Sequence, residues 1–99
     1  MKEYLVQERA HPVGVGVQKQ YRFPNGYGAS VVKFTIGGIP GSYGAEDGLW
    51  ELAVVKWTSD KTYELDYTTG ITEDVLGRLT EADVESTLQQ IKNLKGDKA

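Results

Sequence analysis

Carboxylates are the residues of this chain whose types and spacing could do chemistry. They occur as close pairs, Glu46 with Asp47, Glu64 with Asp66 and Glu73 with Asp74. Such pairs suit general acid-base catalysis or a hard cation, yet none has the spacing of an EF-hand loop. Glu73, Asp74, Glu81 and Asp83 fall in the first turns of expected helices, where the positive end of the dipole accounts for them. Glu51 stands between Leu49 and Ala53 on a strand expected at the centre of a sheet, and pairing with a lysine or arginine of the neighbouring strand is its expected state. A pocket containing Glu51, or the pair Glu46 and Asp47, is the arrangement that would support a small carboxylate-dependent enzyme. There is no cysteine, which excludes thiolate nucleophiles, thiolate metal sites and disulfides. The single histidine, His11, lies directly before Pro12 with no second imidazole to share a metal. Gly26-Tyr27-Gly28 followed by Lys33 faintly echoes a kinase glycine-rich loop but lacks the third glycine and every companion motif. The glycines at 37, 38, 41, 44 and 48 precede no Gly-Lys-Ser/Thr, so no P-loop is expected. No catalytic, metal-binding or cofactor-binding residue is assigned.

Charge is the more informative pattern. Residues 1–61 hold seven Lys/Arg against six Asp/Glu, whereas residues 62–99 hold four against eight, within a formal net charge of -3. Glu64, Asp66, Glu73, Asp74, Glu81, Asp83 and Glu85 form an acidic stretch opposed only by Arg78. These seven residues are the expected contact surface for a basic partner, and the leading expectation is a non-enzymatic protein-binding module acting on a host protein. The alternative is a nucleic-acid-binding sheet, with Tyr21, Phe23, Tyr27 and Trp57 as stacking platforms and Lys19, Arg22, Lys33 and Lys56 meeting phosphates. The net negative charge and pI near 5.1 weigh against it.

The elements that must carry these residues follow from periodicity. Leu49-Trp50-Glu51-Leu52-Ala53-Val54-Val55-Lys56-Trp57 is apolar on both faces at period two, the pattern of a central strand covered on both sides. Residues 17–23 and 27–36 read as a hairpin about Asn25-Gly26, a pair that tolerates the positive φ of a type I′ turn; that register sets Tyr21 opposite Ser30 and Phe23 opposite Gly28. Residues 62–67 alternate as a strand nearer the edge, and residues 2–7 as a short edge strand. Residues 71–77 read as one short turn of helix. Thr80 caps a longer helix over 81–95, with Asp83 in the capping-box position, Val84, Leu88, Ile91 and Leu94 as its apolar stripe and Gly96 as its stop. The fold class is therefore α+β in one domain: residues 1–16 an edge strand and connector, 17–67 an antiparallel β-meander of about four strands interrupted by the glycine-rich loop 37–48, and 71–95 the helical part, with the C-terminal α-helix packed on one face.

Four blocks of the chain, Arg22-Phe23-Pro24-Asn25-Gly26-Tyr27-Gly28-Ala29-Ser30-Val31-Val32, Gly48-Leu49-Trp50-Glu51-Leu52-Ala53-Val54, and the strings over 71–77 and 79–84, resemble small bacteriophage and prophage proteins of unknown function. The resemblance implies a phage origin and leaves the activity open. The amino terminus carries Lys2, Glu3, Glu8 and Arg9 and no long apolar run, so neither a signal peptide nor an anchor is expected, and the expected location is the host bacterial cytoplasm. One helix covers one face of a sheet, so the other face is expected to find cover in residues 1–16 or in a second copy, giving a homodimer.

Overall fold

The computed structural model describes residues 2–42, 44–66, 69 and 76–94. Among them are seven strands and one α-helix. The strands are β1 (Leu5–Ala10), β2 (Val15–Arg22), β3 (Tyr27–Ile36), β4 (Ile39–Pro40), β5 (Trp50–Trp57), β6 (Tyr63–Leu65) and β7 (Leu76–Leu79), and the helix is α1 (Glu81–Lys92). The architecture is α+β, as the periodicity implied. All pairings are antiparallel, in the order β1-β2-β3-β5-β6, with β4 folded onto the far end of β3 and β7 sharing the outer edge of β5 with β6. The expected four strands are present in their expected order. Of the other three, β1 answers the edge strand expected over residues 2–7 but runs over Leu5–Ala10, and β4 and β7 were not expected; all three occupy backbone that would otherwise be left unpaired along β2, β3 and β5.

The hairpin register differs from expectation by one residue. Tyr21 lies opposite Ala29 and Arg22 opposite Gly28. A two-residue turn on Asn25-Gly26 would put Pro24 at a ladder position that must donate an N–H, which proline lacks. The chain instead donates from Phe23 N to Tyr27 O at 2.8 Å and from Gly26 N to Phe23 O at 3.0 Å, with positive φ at Gly26 alone. That is a turn with Pro24 at its first central position followed by a glycine bulge. The turn with positive φ at both central residues occurs elsewhere, at Gly37 (59°) and Gly38 (81°), where it folds β4 onto β3 inside the expected loop.

Helix α1 starts as read. Thr80 Oγ1 accepts from Asp83 N and Asp83 Oδ2 accepts from Thr80 N, both at 3.1 Å, closing the capping box. Val84, Leu88 and Ile91 are buried on the sheet beside Leu52, Val54 and Val31. The helix ends at Lys92, earlier than the stripe suggested, because the carboxamide of Asn25 meets its last turn. Asn25 Nδ2 donates to the carbonyls of Ile91, Lys92 and Leu94 at 2.9, 3.1 and 3.0 Å, satisfying acceptors that every helix C-terminus leaves open. Gly96 and residues 71–75 lie outside the described residues. Leu76 and Gly77 belong to β7 and not to a helical turn, since the outer edge of β5 at Trp50 and Leu52 recruits Leu79 and Leu76 as ladder partners. Arg78 sits at the irregularity in that ladder with φ 57°, a left-handed conformation costing a non-glycine residue about 1–2 kcal/mol. No helix among the described residues is long and apolar enough to cross a membrane.

Residues 5–10 extend the sheet as β1 and do not fold over its helix-free face. That face is built from the alternate residues of each strand: Gln18, Gln20 and Arg22 on β2, Gly28, Ser30, Val32 and Phe34 on β3, Glu51, Ala53, Val55 and Trp57 on β5. Two local devices bury its apolar part. Trp57 folds back so that its indole N–H reaches Tyr21 O at 2.9 Å across Gly28, leaving Val55 fully buried. At the other end the His11 ring stacks on Phe34 at 3.5 Å while its Nδ1 accepts from the N–H groups of Val13 and Gly14, which gives the lone histidine a structural task.

Candidate functional site

Two clefts open on the helix-free side. The first, ≈ 420 Å³, lies between β1 and the β5–β6 turn and is lined by Val6, Gln7, Gln20, Trp57, Asp60 and Lys61. The irregularity in the β1–β2 ladder between Leu5 and Gln7 brings both Val6 and Gln7 to this wall. Trp57 forms the opposite wall and is fixed by its bond to Tyr21 O and by the edge of Tyr63, with ring centroids 5.0 Å apart. Arg22 lies 5.7 Å over the same indole and pairs with Asp60 at 2.9 Å.

Gln20 is the residue of this cleft that the fold does not explain. It is only 8% exposed, and its carboxamide has no hydrogen-bond partner among the described residues. Its neighbour Gln18, equally buried, is satisfied from both ends: Arg9 Nε donates to Gln18 Oε1 at 2.9 Å and Gln18 Nε2 donates to Ser30 Oγ at 3.2 Å. A carboxamide brings two donors and an acceptor, and leaving such groups unmet costs about 1–3 kcal/mol.

The second cleft, ≈ 440 Å³, is lined by Pro40, Gly41, Ser42, Gly44, Glu46, Glu51 and Arg78. It does bring Glu51 and Glu46 together, as an enzyme reading requires. The guanidinium of Arg78 binds Asp47 at 2.6 Å and Glu46 at 3.7 Å, and the Ser42 hydroxyl already accepts from Phe34 N at 3.1 Å. This arrangement ties the turn over residues 45–47 to β7. Among the described residues no group of three or more metal-ligating side chains forms.

Of the seven acidic residues singled out in the sequence, five are among the described residues. Glu81, Asp83 and Glu85 lie exposed on α1, and Glu64 and Asp66 belong to the β6 edge of the sheet. Glu73 and Asp74 lie outside the described residues. Asp83 is held by the capping box, and Glu81 Oε2 accepts from Trp50 Nε1 at 3.0 Å. Glu81 and Glu85 combine instead with Glu8 of β1 around Tyr21. The strand order separates Glu8 from Glu64 by four strand spacings, about 19 Å. Burial, followed by the negative fields of Glu85, Glu8 and Glu81, raises the Tyr21 phenol above its ordinary pKa of 10.0. A group whose folded pKa is raised contributes stability that is present below its unfolded pKa and lost as pH climbs through the folded value. Chemical denaturation at a series of pH values should show stability falling above pH about 10, and Tyr21→Phe should flatten that part of the profile.

The aromatic and basic residues proposed for a nucleic-acid sheet are also divided. Tyr21 and Phe23 are buried under α1, Lys19 and Lys33 lie over Trp50 at 4.9 and 4.4 Å, and Lys56 lies over Tyr27 at 5.8 Å. All of these are on the helix side, because residues at i and i+2 of a strand share a face. Of that set only Trp57 and Arg22 reach the helix-free face. Gln7, Gln20 and Lys61, which complete the cleft, carry no motif; the available signal was the period-two run Gln18, Gln20, Arg22 opposite the apolar face of β2.

No family model matches the chain, and in searches of curated proteins and of solved structures no protein matches it either.

Proposed function

We propose that this protein is a non-enzymatic binding module that meets its partner on the helix-free face of the sheet, at the cleft of Trp57 and Gln20. The observation that carries this reading is the buried, unpartnered carboxamide of Gln20. A leucine there would fill similar volume without the desolvation cost, so the glutamine makes physical sense as a recognition group. The likeness to small bacteriophage proteins suggests a phage or prophage origin, which would set the partner in a bacterial cytoplasm.

A second reading rests on the convergence of Glu8, Glu81 and Glu85 about Tyr21: a basic host protein held on the helix side by opposite charge. Affinity capture from bacterial lysate separates the two. On the first reading, the captured species is lost with Gln20→Leu and kept with Glu85→Gln; the helix-side reading requires the reverse. A measurement independent of any partner accompanies this. Gln20→Leu should raise stability in urea denaturation by about 0.5–1 kcal/mol, since it removes a buried amide the fold leaves unmet, and a loss of stability would contradict the reading.

A further inference from the structure

We infer that the Trp57–Gln20 cleft takes an unpaired base of single-stranded nucleic acid; this rests on the reading of the helix-free face as the contact surface and names what enters it.

Four features of the cleft converge on that ligand. Trp57 supplies an aromatic wall, and an indole is a sequence-tolerant platform for stacking one base. Gln20 presents a coplanar donor and acceptor without partners, the pattern a base edge answers in bidentate fashion. Its volume, ≈ 420 Å³, has room for a single base. Cations stand where the backbone would run: Lys61 at the rim, Arg22 beside Trp57 and Arg9 two ladder positions from Gln7, against Asp60 as the opposing acid of that region.

The net charge of -3 does not oppose this, because among the described acids Asp60 is the one that lines the cleft, and it is paired with Arg22. Glu81, Asp83 and Glu85 are on the helix, Glu64 is on the β6 edge, and Glu46 and Asp47 are bound to Arg78 at the other cleft. Duplex DNA is a poor ligand by the same geometry, since a stacked and paired base cannot reach a carboxamide 8% exposed at the floor of a cleft.

The test is fluorescence anisotropy of labelled oligo-dT and oligo-dA dodecamers and of their duplex, in low salt, with the intact chain. Saturable binding of a single strand is expected, at least about ten-fold tighter than the duplex. Gln20→Leu should weaken it about ten-fold or more, and the exposed Lys61→Glu about three- to five-fold, while Glu64→Gln leaves it unchanged. The slope of log affinity against log salt should be shallow, near about -1.4 for two phosphate contacts on a single strand. The inference falls if no anisotropy change occurs up to about 0.2 mM protein, the weak end of non-specific binding, or if Gln20→Leu binds as the parent does. Failure of the inference alone is recognisable: the oligonucleotides do not bind, yet Gln20→Leu is more stable than the parent and loses a protein captured from nuclease-treated lysate. Should sedimentation instead show a dimer that Gln20→Leu dissociates, the occupant is a second copy and the inference is overturned.

Discussion

Replacing Asn25 by aspartate should destabilise the protein by about 3 kcal/mol, a large effect for an exposed-looking turn residue. The side chain of Asn25 does two things at once. Its Oδ1 accepts from Tyr27 N at 2.9 Å inside the hairpin turn, and its Nδ2 donates to three carbonyls at the end of α1. Aspartate keeps the first bond and loses the others; Ile91 O still accepts from Leu94 N, but taking the donor from the partly buried carbonyls of Lys92 and Leu94 costs about 1–3 kcal/mol. It also sets a negative charge against the negative end of the helix, which adds about 0.3–1 kcal/mol. Alanine loses every bond but adds no charge, so Asn25→Ala should cost less, about 2 kcal/mol. Urea denaturation of both variants measures this, and the order aspartate worse than alanine is the diagnostic result. Equal losses would mean that the turn alone, and not its clamp on the helix, is what Asn25 supports.

Gly28→Ala should cost about 3 kcal/mol, the upper end of overpacking effects. A Cβ there would collide with the carbonyl oxygen of Tyr21 and stand 2.6 Å from Trp57 Nε1. The indole would have to leave Tyr21 O, and Val55 would lose its cover on the helix-free face. The same substitution should therefore expose Trp57, read as a red shift in its emission and faster quenching by iodide. A variant of parental stability with unchanged emission would show that Trp57 is not anchored across Gly28.

The parts of this fold legible in the sequence are those set by periodicity and local hydrogen bonding. The double-faced apolar run of β5, the stripe Val84, Leu88 and Ile91, and the Thr80–Asp83 capping box each state their own structure, because burial and backbone donors act residue by residue. Where two local rules compete the reading shifted. Asn25-Gly26 favours a two-residue turn, but the missing N–H of Pro24 decides the register, and one residue of slip moved Gly28 from Phe23 to Trp57. Strand β7 was hidden because Leu76 and Leu79 also suit a helix approach; only the open edge of β5 makes them a strand.

The candidate site was less legible for a tertiary reason. Sequence proximity joined Glu64 and Asp66 with Glu81 and Glu85, whereas the fold carries the first two at β6 and the last two on α1, where Glu8 of β1 joins them about Tyr21. Gln20 has no signature as a type. Its significance is a difference between burial and hydrogen bonding, and that exists only once β1, β2 and Trp57 are packed together.

Whether the helix-free face is where this protein makes contact can be read from side-chain and backbone N–H resonances followed during titration with oligo-dT. The Gln20 carboxamide and the Trp57 indole N–H should shift progressively together with the backbone of Gln7 and Lys61, while Glu81, Glu85 and the rest of α1 stay in place. Shifts confined to α1 and the neighbourhood of Tyr21, with Gln20 and Trp57 unmoved, would contradict it.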